Sequence, residues 1–353
     1  MKRLARDAGK FEAVDLFTAV ARDKNFNIGN SKDLDSFVSG IRESLERSHA
    51  TPTLLYGKRV EALFAQMAGA LGECKFIKSE DAGEMFSEDG ELQAPDYRLI
   101  LKDGRTILVE VKNCHNDIFT KPFVLRKPYF LKLEKYAEMH GVQLKVAVFF
   151  SQINQWCLLS KRAFKEKGQS LEITFPNALA KSEMGELLGD TSYGTLPELK
   201  IELFTGEGDV QTKNDDGMTA IVFRKLKIYC VGREIHDEHE KNIAFYLMRF
   251  GDWEHHDEQL VENGRLLAWT FTCRPSDRSE GQEFEIIGFQ SRMISAAFAE
   301  HTLHEGQTIA LDAPVDPANF QFHISKDYKG KDLPLWQFSM VPNYENFNHM
   351  RQP

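Results

Sequence analysis

The sequence predicts a mixed α/β core that is preceded by helices and followed by a second, mainly β part. Apolar residues recur at helical spacing before residue 72, and the spacing becomes alternating between residues 74 and 112. After residue 194, short apolar runs are separated by Gly, Asp and Pro. The chain has 353 residues, 42% hydrophobic and 27% charged, which is typical of a globular protein with a substantial core.

The predicted elements follow directly from these patterns. Two helices are expected over residues 2–24 and 33–48, and a third over Leu55–Leu71, where one apolar stripe ends before Gly72. Three strands are expected between residues 74 and 112, and in residues 121–140 the spacing becomes helical again after Pro128. A further strand, KVAVFFSQ, follows, so the order is α-β-β-β-α-β after the first helices.

Gly and Ser residues between Ser182 and Gly194 indicate a domain boundary. We therefore expect N-terminal helices over 1–54, an α/β domain over 55–180 and an acidic β-rich domain over 195–345. In this last domain the run IAFYLMRF is expected to be a strand, and one helix is expected near Arg292–His301.

Charge is divided unequally between the two halves. Residues 1–180 contain 27 Lys and Arg against 24 Asp and Glu, a net charge of +3, whereas the whole chain carries −9. The second half therefore carries −12 and is unsuited to bind a polyanion, while the first half is compatible with a phosphate-binding surface. For the acidic domain we expect oligomerisation, binding of a protein partner, or regulation.

Several classes of protein are excluded by what the sequence lacks. No apolar run approaches the roughly 20 residues of a membrane-spanning helix, so we expect a cytoplasmic protein that does not associate with membranes. The five cysteines are scattered and never form a C-x-x-C pair, which indicates reduced thiols. Nucleophile-elbow, Walker and Rossmann motifs are absent.

The segment from Pro95 to Lys112 predicts a hairpin with two alternative registers. A two-residue loop pairs residues whose numbers sum to 207, and a three-residue loop gives a sum of 206. In the 207 register, Thr106 and Glu110 interrupt the apolar face. The 206 register instead makes one face wholly apolar: Tyr97, Leu99, Leu101, Ile107, Val109 and Val111. The hydrophobic pattern therefore favours 206.

In the 206 register, Asp96 lies opposite Glu110, and Lys112 lies on the same face. Two carboxylates with Cβ atoms about 5 Å apart repel each other unless a cation lies between them. A divalent metal with oxygen ligands meets this need, and Lys112 adds a second positive charge. Such a site suits phosphodiester hydrolysis, in which a metal activates water and offsets charge on the phosphate.

These residues resemble the motif of the PD-(D/E)XK, or restriction-endonuclease-like, nuclease superfamily. Pro95-Asp96 and Glu110-Val111-Lys112 match that motif, within the α-β-β-β-α-β order of the superfamily fold. The resemblance implies Asp96 and Glu110 as ligands of Mg²⁺ or Mn²⁺ and Lys112 as the catalytic lysine. Many members also place a glutamate on the preceding helix, a position held here by Glu61, which would be a third metal ligand.

A nucleic-acid surface is expected beside this site. In the RecB-like branch, a Gln and a Tyr lie four residues apart on the second helix; here the Tyr is present and a lysine replaces the Gln. Cationic residues of this region alternate with aromatic ones. This pattern is typical either of a surface that binds the phosphates of a nucleic acid or of an amphipathic helix whose lysines are solvated. The candidates for nucleic-acid binding are Lys121, Arg126, Lys127, Lys132 and Tyr136.

The sequence thus predicts a metal-dependent nuclease, expected to be a DNA endonuclease. The resemblance implies a role in bacterial defence or genome maintenance. Two alternatives remain open: a noncatalytic nucleic-acid-binding or assembly subunit that retains the fold, and a nuclease that acts on RNA. A binding subunit would need no Mg²⁺ and release no product.

Overall fold

A computed structural model describes residues 1–3, 13–80, 85–88, 90–206, 212–213, 219–275, 281 and 283–344. The α-helices are α1 (Ala13–Lys24), α2 (Ser31–His49), α3 (Pro52–Leu71), α4 (Lys127–Met139), α5 (Phe175–Ala180), α6 (Glu238–Phe250) and α7 (Gln290–Thr302). Strands of the first half are β1 (Cys74–Ser79), β2 (Tyr97–Leu101), β3 (Thr106–Cys114), β4 (Phe123–Arg126), β5 (Gln143–Phe150), β6 (Gln155–Leu159), β7 (Lys165–Lys167) and β8 (Ser170–Ile173). Strands of the second half are β9 (Thr191–Thr195), β10 (Leu199–Thr205), β11 (Thr212–Lys213), β12 (Thr219–Ala220), β13 (Phe223–Cys230), β14 (Arg233–Glu234), β15 (Glu254–Glu262), β16 (Arg265–Arg274), β17 (Glu285–Phe289), β18 (Leu303–His304), β19 (Gln307–Thr308) and β20 (Leu335–Ser339).

A mixed five-stranded sheet forms the centre of the first half. Its order is β1-β2-β3-β5-β6, in which β3 and β5 run parallel and the other neighbours antiparallel. The mixed α/β class predicted from the sequence is therefore confirmed. Strand β4 lies outside this sheet and pairs with β8.

Helix α3 lies on one face of the central sheet and α4 on the other. The α3 helix begins at Pro52, whose ring suits a first turn, and ends before Gly72, which adopts a left-handed φ of +87°. Its Phe64 packs with Leu99 and Val109, whereas Phe130 of α4 packs with Val146. The strand alternation thus places successive residues of β5 in two different cores, with Ala147 and Phe149 in one and Val146 and Val148 in the other.

The second half contains a five-stranded antiparallel sheet in the order β14-β13-β10-β16-β15. Helix α6 covers one face of it, and Ile243 and Leu247 contact the cluster that holds Ile201 and Ile228. A three-stranded sheet, β17-β9-β20, and two small two-stranded ladders complete this half among the described residues.

The prediction that IAFYLMRF is a strand was wrong, because these residues lie in α6. Asp237 caps this helix by accepting a hydrogen bond from the Glu240 amide at 2.9 Å. The buried residues Ile243, Ala244, Leu247 and Met248 then recur at helical spacing. The helix predicted near Arg292–His301 is confirmed as α7.

The largest apolar cluster contains residues from both halves. Phe298 of α7 and Phe320 are buried in it together with Phe64 of α3. A polar contact reinforces this packing, since the Nε of buried Arg59 donates to Thr302 Oγ1 at 2.8 Å. The division into domains at residues 181–194 remains a prediction, and the core extends across it.

All five cysteines are buried and free. Among the described residues, no helix is long and apolar enough to cross a membrane.

Buried Asp190 provides a test of pH-dependent stability in this fold. It accepts hydrogen bonds from the amide and hydroxyl of Ser291 at 2.9 and 2.6 Å, at the start of α7. Burial raises the pKa of Asp190 to about 6, although these bonds oppose the shift. Because the pKa is raised on folding, the stabilisation is complete below about pH 4 and is lost as the pH rises through 6.

Between pH 4 and 7, the wild type should therefore lose about 3 kcal/mol more unfolding free energy than Asp190→Asn. Urea titrations of both proteins at each pH measure this difference. Asp327→Asn, at an exposed position, should show the wild-type pH dependence. Parallel curves for wild type and Asp190→Asn would contradict the prediction.

Candidate active site

Strands β2 and β3 bring Asp96 and Glu110, here called the acid pair, side by side. Tyr97 pairs with Val109 and Leu99 with Ile107, so the predicted 206 register is confirmed. Asp96 immediately precedes β2, and its Oδ2 accepts a hydrogen bond from the Val111 amide at 2.7 Å. This bond anchors the Asp96 carboxylate beside the strand residue that follows Glu110.

The electrostatics of the acid pair show that the two carboxylates influence each other. Burial raises the pKa of Asp96 to about 6, and the charge of Glu110 contributes to the same shift. The Val111 amide, Lys112 and Lys58 act in the opposite direction but do not cancel it. Burial and repulsion from Glu110 together therefore outweigh the stabilisation of the Asp96 carboxylate by its amide donor and the two lysines.

Glu110 is 2% exposed, and two side chains bind the same oxygen of its carboxylate. Lys112 Nζ forms an ion pair with Oε1, and the Tyr129 hydroxyl donates to Oε1 at 2.5 Å. Burial raises the pKa of Tyr129, as does its hydrogen bond to Glu110, so this hydroxyl stays protonated as a donor. In the described part of the chain, no hydrogen bond reaches Glu110 Oε2 or Asp96 Oδ1.

Glu61 lies near the acid pair but is held by another residue. Lys58 Nζ contacts Glu61 Oε2 at 2.6 Å, one turn earlier on α3. Burial lowers the pKa of Lys58, but its hydrogen bond to Glu61 and the charges of Glu61, Asp96 and Glu110 outweigh burial and raise it. Lys58 therefore lies within the field of all three acids. Across the described residues, no three His, Cys, Asp or Glu side chains converge closely enough to hold a metal by themselves.

The predicted nucleic-acid contacts are placed around α4 with different partners. Lys127 pairs with Glu166 at 2.6 Å, Lys132 pairs with Glu91, and Tyr136 donates to Glu80 Oε2 at 2.9 Å. By contrast, Lys121 and Arg126 are exposed and form no ion pair with any described residue. Of the five predicted contacts, Lys121 and Arg126 are therefore available to a polyanion without displacing a carboxylate of a described residue.

Sequence reasoning missed Lys58 and the contact between Tyr129 and Glu110. Lys58 precedes Glu61 by three residues, a spacing that places both on one helix face. Tyr129 follows Pro128 at the start of α4, and nothing in the local pattern indicates that it crosses to β3.

No defined protein family matches the sequence, and no curated protein is significantly similar to it. Among solved structures, part of the chain is similar to Hjc, a Holliday junction resolvase from the archaeal hyperthermophile Archaeoglobus fulgidus. The match covers 29% of this chain and 77% of the resolvase, with 16% identity and a TM-score of 0.23. A likeness at this level carries no functional assignment, which depends instead on the residues around the acid pair.

Proposed function

We propose that this protein is a metal-dependent nuclease that hydrolyses phosphodiester bonds in DNA. The observation that carries the proposal is the acid pair. Its two carboxylates lie side by side in a partly buried site next to Lys112, one immediately before β2 and the other on β3. The order of α3, β1 to β3, α4 and β5 supports a restriction-endonuclease-like core around it. The resemblance noted in the sequence extends the proposal to a role in bacterial defence or genome maintenance.

The donor chemistry of the acid pair fits Mg²⁺ or Mn²⁺. Asp96 Oδ1 and Glu110 Oε2 are hard oxygen ligands without donors from the described residues, and Mg²⁺ commonly binds one or two carboxylates and keeps several waters. Glu61 would join as a third ligand only after separating from Lys58. When bound, the metal would acidify a water and offset charge on the scissile phosphate.

The side chains of the chain itself would prepare this reaction. Lys112 fixes one oxygen of Glu110, so the second oxygen keeps a defined direction. The Lys112 side chain is 31% exposed and therefore remains able to face an approaching phosphate. Positive charge at this position would stabilise the negative charge that develops on the phosphate oxygens during in-line attack.

A cleavage assay tests this proposal. Supercoiled plasmid and single-stranded DNA and RNA of equal sequence are incubated with wild type, Asp96→Ala, Glu110→Ala and Lys112→Ala, in Mg²⁺, Mn²⁺ or EDTA. We expect metal-dependent DNA cleavage by the wild type and at least about a hundredfold lower rates for each variant.

Each alternative outcome has a defined meaning. Cleavage of RNA but not DNA would change the substrate class, and metal-independent binding without product would identify a noncatalytic subunit. Undiminished cleavage by all three variants would eliminate the acid pair as the site.

Tyr129→Phe tests the role of the hydroxyl that binds Glu110. Loss of this donor should leave the fold intact but loosen the Glu110 carboxylate, raising the Mg²⁺ concentration for half-maximal cleavage by about tenfold. Tyr136 lies on the same helix, but its hydroxyl donates to Glu80 and not to Glu110. Tyr136→Phe should therefore leave the Mg²⁺ requirement unchanged. An equal shift in both variants would show that the effect is not specific to Glu110.

A further inference from the structure

Helices α1 and α2 form a hairpin with little support from the other described residues. Each helix has one buried residue, Phe17 in α1 and Phe37 in α2, whose rings meet edge to face at 5.1 Å. Helices of 12 and 19 residues in proteins normally gain their stability by packing a whole apolar face. This hairpin therefore has an apolar face that no described residue covers.

The uncovered face is a continuous seam on α2. Leu34, Val38 and Leu45 are 39%, 63% and 66% exposed, and Ile41 between them is partly exposed. Their spacing of four, three and four residues is that of the two core positions in a heptad, which pack against another helix. An open groove of about 420 Å³ between α1 and α2 continues this apolar surface.

Charges beside the seam indicate what covers it. Asp35 and Arg42 are seven residues apart and therefore lie on the same face of α2. This face flanks the seam on the side away from Phe37, and each of the two residues lies near one end of the seam. In the described part of the chain neither forms an ion pair. If α2 packs antiparallel on a second α2, with residue 34 opposite residue 45, each Asp35 lies beside Arg42 of the second copy. The surface is thus complementary to itself under a two-fold axis.

A parallel arrangement lacks this complementarity. Each residue would then lie level with its own copy, and the residues facing Asp35 and Arg42 across the seam would be uncharged, such as Phe37 and Ser44. The pattern of charge therefore distinguishes the two orientations as well as supporting self-association.

We propose that a second copy of this chain covers the α2 seam, forming a two-fold dimer through antiparallel α2 helices. This surface is separate from the acid pair and from the acidic second half, and the inference does not depend on the proposed nuclease activity. Apolar contacts along the seam supply the affinity, and the two Asp35–Arg42 pairs select the orientation.

Sedimentation equilibrium of the full chain over a range of concentrations tests the dimer. The wild type should sediment at twice the monomer mass, and Val38→Asp, which places a carboxylate in the seam, should weaken association by at least about a hundredfold. Val222→Asp is a matched control, since Val222 is 50% exposed but distant in sequence from the hairpin, and it should associate like the wild type.

Charge exchange tests the orientation at exposed positions where the fold is not at risk. In Asp35→Arg and in Arg42→Asp, both pairs between the two copies consist of residues with the same charge. Each variant should therefore associate about tenfold more weakly. The double variant restores both pairs in reversed form and should return to within about threefold of the wild type. Circular dichroism should be equal for all variants.

Several results would overturn the proposal. A wild type that is monomeric at all concentrations, or a dimer that Val38→Asp leaves intact, would show that a second copy does not cover the seam. Additive losses in the double charge variant would exclude the antiparallel arrangement.

Discussion

Glutamine in place of Glu110 should lower Mg²⁺-dependent cleavage by about a thousandfold, the upper range for loss of one preorganised charged group. The side chain keeps its shape, so Tyr129 can still donate to it, but the negative charge is lost. Lys112 then loses the partner of its ion pair, and one of the two carboxylates that would hold the metal is gone. Single-turnover rates on a plasmid substrate measure the loss.

A second measurement separates metal binding from chemistry. Mg²⁺ at saturating concentration should raise the melting temperature of the wild type, because a ligand that binds only the folded state stabilises it, and Glu110→Gln should lose this increase. Glu138→Gln, which removes an exposed carboxylate of α4, should retain both cleavage and the increase. Normal cleavage by Glu110→Gln would exclude this residue from the site.

Alanine in place of Trp156 should lower the free energy of unfolding by about 3–5 kcal/mol, the range for large aromatic residues in a core. Trp156 is fully buried, its ring lies 4.7 Å from Phe149 and 5.6 Å from Phe64, and its indole donates to Ser295 Oγ at 3.0 Å. Because Ser295 belongs to α7, this side chain connects the central sheet to the second half. Urea titration followed by circular dichroism measures the loss.

Phe86→Ala is the control for Trp156→Ala. Phe86 is 90% exposed, so its truncation should change stability by less than about 0.5 kcal/mol. We also expect probes in both halves to report the same lowered transition in Trp156→Ala. If the unfolding midpoint fell only for probes in the first half, the result would contradict a core that the two halves share.

Local pattern was sufficient to predict the acid pair. The apolar face that includes Leu99 and Val109 is evident from the alternation of apolar and polar residues within a segment of 20 residues. A shift of one residue in the pairing of the two strands would expose this face to water. The same reasoning placed α3 within three residues of its observed start, since Gly72 and the apolar stripe are local features. Predictions succeeded where one hairpin or one helix determines the geometry.

Predictions failed or fell short where contacts join distant parts of the chain. The run IAFYLMRF is rich in residues that favour strands, but the Asp237 cap and the sheet beneath α6 select a helix. The pairing of Lys58 with Glu61 competes with the expected role of Glu61, and only the fold shows that both approach the acid pair. For α6, tertiary packing thus outweighs local preference.

The contact of α7 with α3 also forms late while the protein is being synthesised. Phe298 and Phe320 are at most 1% exposed, and they cover apolar surface that α3 and the central sheet present. While a ribosome has made only the first 180 residues, that surface still faces water. The apolar face that α3 presents to α7 is therefore covered only late in translation, after residue 320 has emerged from the ribosome.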